Sequence, residues 1–377
     1  MRIGILTYYH DINCGTVLQA YATLKAVKKV FPNDDVEIIP FRSFVIRRVP
    51  YKSQASFGSL LRDARRIYGY QKFEREHLKI SSDVVISDPQ KGIDFIRERQ
   101  YDRIYVGADT LLELDRLPKK YDGLSAFWLS PKIPAKKYLL SASSKSVNYA
   151  DLSPKQKDDM QKCIDSYSGI MVRDMATFEL MANFRSREKI KLIPDPTFTI
   201  DIDYSFAEKY VNKRNIDFSN LIGIHSLEGE KWCYAVADSL RKDGYKIASF
   251  RPAKWADYEL NDMTPLEQLG IYRNFKCFIT HRFHDTVFCL KNGEPVVTYP
   301  ASDSYIAKKG GSKYSALYSL FGIAELCLIP QKNDVTTEVM LDKIHAVMCG
   351  FPSKQPKISL TCKQLGEQYM TNLEATK

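Results

Sequence analysis

Residues 277–298, CFITHRFHDTVFCLKNGEPVVT, leave little freedom in what they can fold into. An apolar run (Cys277, Phe278, Ile279) leads into apolar residues at helical spacing, Phe283, Val287 and Leu290, which stop at Asn292-Gly293 before a second apolar run. The pattern is strand, turn, helix, glycine stop, strand. A helix opening here leaves unpaired N–H groups and its positive macrodipole end beside Arg282 and His284, a setting that suits an anion. A capped helix with a surface Arg and a hydrogen-bonded His is the plainer reading of the same residues.

The same alternation runs through the chain. Ile3–Tyr8 precedes a Gly-containing loop and an amphipathic helix on Val17, Tyr21, Leu24 and Val27; further β-like runs are Val36–Pro40, Ile104–Val106, Tyr138–Ser141 and Ile170–Val172. The segment LIPDPTFTIDIDYS breaks the rhythm and places a hinge near residue 200. A second set follows: Leu221–His225, a helix through Trp232, Val236 and Leu240, Lys246–Phe250, a helix after Thr264-Pro265, the unit described above, and a last strand at Leu326–Ile329. The expectation is an α/β protein of two Rossmann-like domains facing a cleft, residues 1–200 and 201–377, with ligands at the carboxyl ends of the strands.

A chain of 377 residues exceeds one ordinary core, which agrees with two domains. No apolar run approaches the ~20 residues that span a bilayer, and the first residues read as a strand of a cytoplasmic protein rather than a signal peptide. The eight cysteines form no C-x-x-C pair, so reduced thiols are expected rather than disulfides or zinc. The formal charge of +10 is concentrated: residues 41–80 hold ten basic side chains, among them Arg47, Arg48, Arg62, Arg65 and Arg66, against three acids. Interleaved with Phe44, Val45, Ile46, Leu60, Leu61 and Tyr68, this insert suits the anionic inner face of a membrane or an anionic, lipid-linked substrate. A solvated basic helix is the alternative reading, and no nucleic-acid module is recognisable.

Five further places put polar groups where βα loops are expected. They are Asn13-Cys14-Gly15; Asp109 after Gly107-Ala108, as a cleft residue or an N-cap; Arg173-Asp174 after Ile170–Val172, as a site residue or a structural pair; Asp195-Pro196, as a site residue or a turn; and Lys313 at the start of a helix through Leu317, Leu320 and Gly322.

In order along the chain, NCGTVLQAYATL, YQKFEREHLKIS, YDRIYVGAD, the VRD and DPTF pair, HRFHDTVFCLKNGEPVV and SKYSALYSLFGI resemble the polysaccharide pyruvyl transferase family. The resemblance implies a GT-B-like fold and transfer of a pyruvyl group from phosphoenolpyruvate to a sugar of a surface polysaccharide precursor, as a cyclic ketal bridging two hydroxyls. It implies a donor site in the second domain, formed by Arg282 with Arg173 and Lys313. His284 would be the proton donor, and Asp109 or Asp195 would accept a hydroxyl proton or hold the acceptor on the side of Asn13 and Gly15. No metal or cofactor is expected beyond the co-substrate, because cations and a helix end already supply the positive charge. The sequence departs from the family at Gly107-Ala108-Asp109-Thr110 and at Ser141–Lys145, both in the half expected to hold the acceptor. Two other classes stay open. A GT-B glycosyltransferase would take a nucleotide sugar through Glu259, Tyr258 and Trp255, and a non-catalytic membrane-associated protein would use only the basic insert.

Overall fold

The computed structural model describes residues 1–43, 57–80, 83–115, 117, 122–145, 147–214, 216–301 and 313–377. Phe44, Val45, Ile46, Arg47, Arg48 and Lys52 of the basic insert lie outside the described residues. The chain forms two compact units: Met1–Arg47, Lys72–Ile200 and Leu365–Lys377 make the first, Arg48–Gln71 and Asp201–Gln364 the second.

The strands are β1 (Arg2–Leu6), β2 (Asp35–Ile38), β3 (Phe41–Arg42), β4 (Val84–Val85), β5 (Arg103–Val106), β6 (Lys136–Ala142), β7 (Tyr167–Val172), β8 (Ile190–Leu192), β9 (Leu221–His225), β10 (Lys246–Ser249), β11 (Tyr258–Glu259), β12 (Cys277–Thr280) and β13 (Val296–Thr298). In the first unit six pair in the order β2-β1-β5-β6-β7-β8, and in the second five pair in the order β11-β10-β9-β12-β13. Every pairing in both sheets is parallel. The sequence explains this, because β5, β9 and β12, and β1 beyond Arg2, are nearly continuous apolar runs buried on both faces.

Both sheets reverse their winding once. The chain goes from β1 to β2 and then crosses to β5 on the other side of β1; it goes from β9 through β10 to β11 and then crosses to β12 on the other side of β9. The loops after β1 and β5, and after β9 and β12, therefore diverge, leaving a crevice at the carboxyl ends of each pair where ligands of open α/β sheets bind. Gly223 allows the second reversal to pack tightly, since a Cβ there would lie 2.3 Å from the ring of Phe278.

Two expectations are corrected. Leu326–Ile329 is not a strand: Ala324–Cys327 is a short helix, and Leu328 makes a single bridge to Thr298. Gly15 lies inside the helix Cys14–Val30 rather than in a loop, because the Asn13 side chain accepts its N–H and starts the helix before it.

Three arginines of the basic insert face carboxylates of their own unit, whereas Arg75 is exposed. Arg62 pairs with Glu259 at 2.6 Å, Arg65 with Glu267 at 2.8 Å and Asp262 at 3.4 Å, and buried Arg66 with Asp63 at 3.0 Å. These ion pairs fasten the helix Phe57–His77, whereas Leu60, Leu61 and Tyr68 are exposed on it. Among the described residues no helix is long and apolar enough to cross a membrane.

Candidate functional site

The switch point of the second unit is built on one buried carboxylate. Asp285, in the first turn of the helix Phe283–Asn292, accepts hydrogen bonds from Nδ1–H of His225 at 2.6 Å, the Tyr272 hydroxyl at 2.8 Å and the Thr280 hydroxyl at 3.0 Å. His225 ends β9, Thr280 ends β12, and Tyr272 is fixed by rings of Phe250 and Phe278 at 5.6 and 4.9 Å. Four elements thus converge on one side chain. Burial alone would raise the carboxyl pKa, but His225, Arg282 and the Tyr272 hydroxyl outweigh it and hold Asp285 ionised. Burial also lowers the pKa of His225 against the pull of Asp285, so its imidazole rests neutral, with the proton on Nδ1 and the lone pair on Nε2.

A second imidazole is fixed in the same way. His281 Nδ1 donates to the backbone carbonyl of His225 at 2.9 Å, and the two rings lie 5.8 Å apart. Burial, with His225 and Arg282 nearby, pushes its pKa down to about 3. Among the described residues neither imidazole has a hydrogen-bond partner at Nε2. Sequence reasoning singled out none of His225, His281 and Asp285. The available signal was a polar residue at the carboxyl end of each of two neighbouring apolar strands.

Arg282 and His284 are where the sequence placed them. Arg282 is the N-cap residue of the helix, with extended backbone and no side-chain cap, and its N–H donates to the Thr280 hydroxyl at 2.9 Å. Its Nε is buried without a hydrogen-bond partner among the described residues. His284 packs between Phe283 and Phe288, with ring centroids 5.4 and 6.1 Å away. The helix Lys313–Phe321 is tied to the same place, because Tyr314 donates to the carbonyl of His281 and Tyr318 shares a 2.7 Å hydrogen bond with Thr298. Exposed Lys313 consequently stands 5.5 Å from the Phe283 ring centroid, and Gly322, at φ 68°, ends its helix. Arg282, His284 and Lys313 are thus gathered around one helix start.

Arg173, Asp195 and Asp109 are gathered in the first unit. Arg173 donates to buried Asp195 at 2.8 Å, while the other oxygen of Asp195 accepts from the Thr197 N–H and hydroxyl at 3.0 and 2.6 Å and caps the turn Pro196–Thr199. Burial works against the Arg173 charge, but Asp195, Asp109 and Asp174 outweigh it. Asp174 caps the helix Met175–Met181. Asp109, at φ 88°, accepts from the Thr110 N–H at 2.7 Å and the Thr16 hydroxyl at 3.4 Å. Asn13 caps the helix that contains Gly15.

The glycosyltransferase candidates are differently placed. Glu259 receives Arg62 and the Ala253 N–H at 3.0 Å, and Trp255 is buried. A groove of about 740 Å³ opens at the amino ends of β9, β12 and β13 among Phe218, Lys276, Glu294 and Phe351, away from the switch point. Among the described residues no three His, Cys, Asp or Glu are grouped to hold a metal ion.

Comparison with known proteins decides the family, since the profile described as "Polysaccharide pyruvyl transferase" matches residues 13–302. The chain belongs to the polysaccharide pyruvyl transferase family. No curated protein matches it by sequence. In fold it is similar to the UDP-GlcNAc 2-epimerase of Neisseria meningitidis bound to UDP-GlcNAc (TM-score 0.60, 8% identity, 100% of this chain and 99% of that one). It is also similar to that of Methanocaldococcus jannaschii (TM-score 0.55, 11% identity, 92% and 93%). At these identities the likeness shows the fold alone, which is GT-B-like. Arg282, His284 and the His225–Asp285 pair of this pyruvyl transferase family member lie within the matched residues.

Proposed function

We propose that this protein transfers a pyruvyl group from phosphoenolpyruvate to a saccharide, forming a cyclic ketal. Beside family membership, the observation that carries this reading is the helix start at Phe283, where backbone donors, Arg282 and Lys313 converge. The donor's phosphate and carboxylate need fixed cations and N–H groups, and an Arg fork suits either anion. His284 protonates the methylene carbon, making the adjacent carbon electrophilic toward a hydroxyl. In the first unit, Asp109 or Asp195 would hold a hydroxyl-rich acceptor or accept its proton. Among the described residues of the basic insert, membrane or lipid-linked acceptor contact would fall to exposed Leu60, Leu61, Tyr68 and Arg75, because Arg62, Arg65 and Arg66 face carboxylates of their own unit. The alternative, a nucleotide-sugar glycosyltransferase, gains no particular support from Glu259 or Trp255.

Phosphoenolpyruvate should raise the melting temperature where UDP-sugars do not. His284→Asn should keep that shift and lose roughly a hundredfold or more in turnover. Wild-type transfer in heavy water should leave one solvent deuteron in the product methyl group. A methyl group free of solvent deuterium would exclude protonation of the vinyl carbon.

A further inference from the structure

The reaction proposed above takes a proton from each of two hydroxyls and delivers one to the donor's methylene carbon and one to the departing phosphate. One acid cannot do all of this. Next to Arg282 the second unit holds a base already set for the other half. Asp285 fixes the Nδ1 proton of His225, which directs the Nε2 lone pair away from the carboxylate, and it stands ready to stabilise the imidazolium once Nε2 takes a proton. Three donors and burial keep that carboxylate in place, and His281 holds the backbone of His225 from β12. A structural histidine would need neither an ionised carboxylate nor an open Nε2 at a switch point.

We propose, resting on the pyruvyl-transfer reading, that His225 is the general base of this site and Asp285 its positioning residue. After His284 has protonated the methylene, the first hydroxyl adds to the adjacent carbon, and its O–H bond breaks with the proton passing to Nε2 of His225. The bond from that carbon to the phosphate oxygen then breaks, and His225 returns the proton to the leaving phosphate. The second hydroxyl closes the ketal and gives its proton to His284. Both imidazoles end as they began, and atoms and charge balance without an oxidant or metal.

The groups facing His225 are Asp285 and Arg282 at the helix start, His281 after β12 and Arg251 after β10. The test is His225→Asn, whose amide keeps a donor for Asp285 but carries no base, together with Asp285→Asn. Donor binding is read by phosphoenolpyruvate thermal shift, and turnover by phosphate release with glycosides bearing two free neighbouring hydroxyls. Both variants should keep the shift and lose roughly a hundredfold or more in turnover. The acid limb of the wild-type pH profile should vanish in His225→Asn, and imidazole should partly rescue His225→Ala. Wild-type turnover in His225→Asn, or an unchanged acid limb on a slower rate, would overturn the assignment while leaving pyruvyl transfer standing. If the wild-type protein neither binds phosphoenolpyruvate nor releases its phosphate, both readings fall together.

Discussion

Each unit is a parallel sheet with one reversal of winding, and the two use that reversal differently. In the first, the polar residues beyond the strand ends hold one another: Asn13 and Asp174 cap helices, Asp195 caps a turn and holds Arg173, and Asp109 is bonded to Thr110 and Thr16. In the second, the equivalent place holds an ionised carboxylate behind a histidine, a neighbouring histidine and an uncapped helix start at Arg282. A crevice at a switch point is a consequence of topology, whereas reactivity depends on which groups there keep donors or lone pairs uncommitted. On the proposed reading the difference puts anion chemistry in the second unit and leaves the first a frame of side chains that hold one another.

The comparison breaks first at Asp195. Asp195→Ala removes both a cap and a charged partner of largely buried Arg173, so unfolding by denaturant should show a loss of about 3 kcal/mol or more. The phosphoenolpyruvate-induced shift of the folded fraction should stay as in wild type. A lost ligand shift with unchanged stability would move the donor site to the first unit and reverse the contrast.

Buried titratable groups give the second unit two opposed pH dependences. His281 has a folded pKa near 3 against an ordinary 6.5. Between those values the unfolded chain binds a proton that the folded one does not, so stability falls as pH drops from about 6.5 toward 3. At about 1.4 kcal/mol per unit, His281 accounts for a loss of about 2 kcal/mol by about pH 5, and His225 adds to it in the same direction. Glu294 works the other way: burial, partly offset by Lys276 and Arg273, raises its pKa from 4.5 to about 7, so its contribution falls as pH rises across that range. His281→Asn should retain a donor for the His225 carbonyl and flatten the acid side of the stability profile. A profile unchanged in that variant would mean that His281 does not stay neutral on folding.

Much of this was legible in the sequence because a parallel sheet covered on both faces writes itself as apolar runs. The helix at Phe283 was readable from its spacing and its Gly293 stop. The false strand at Leu326–Ile329 shows where that signal ends: a four-residue apolar run fits a buried helix turn as well as a strand. Arg282 and His284 were visible because they sit together at a helix start. His225 and Asp285 are sixty residues apart, and only the crossover from β11 back to β12 brings them together. Arg65 misled for the same reason, since its partners Asp262 and Glu267 are about two hundred residues away and local charge counting cannot see them.

The smallest effect offers the finest test of how the second unit would hold the proposed anion. Lys313 and Arg282 stand at the same helix start, but Lys313 is exposed over the Phe283 ring, whereas Arg282 is half-buried with its Nε out of water. A solvent-facing ammonium acts as a screened point charge, and a guanidinium presents a fixed fork. Lys313→Gln should therefore weaken phosphoenolpyruvate binding only a fewfold, worth about 0.5–1 kcal/mol, and the defect should fade as salt is raised. Arg282→Lys keeps the charge and should cost about tenfold in binding, with a defect that salt does not erase. Titrations of both variants at low and high ionic strength separate the two contributions. If Lys313→Gln proves the more damaging and its defect persists in salt, the lysine is closed over the ligand in the complex and the anion site is centred on it rather than on Arg282.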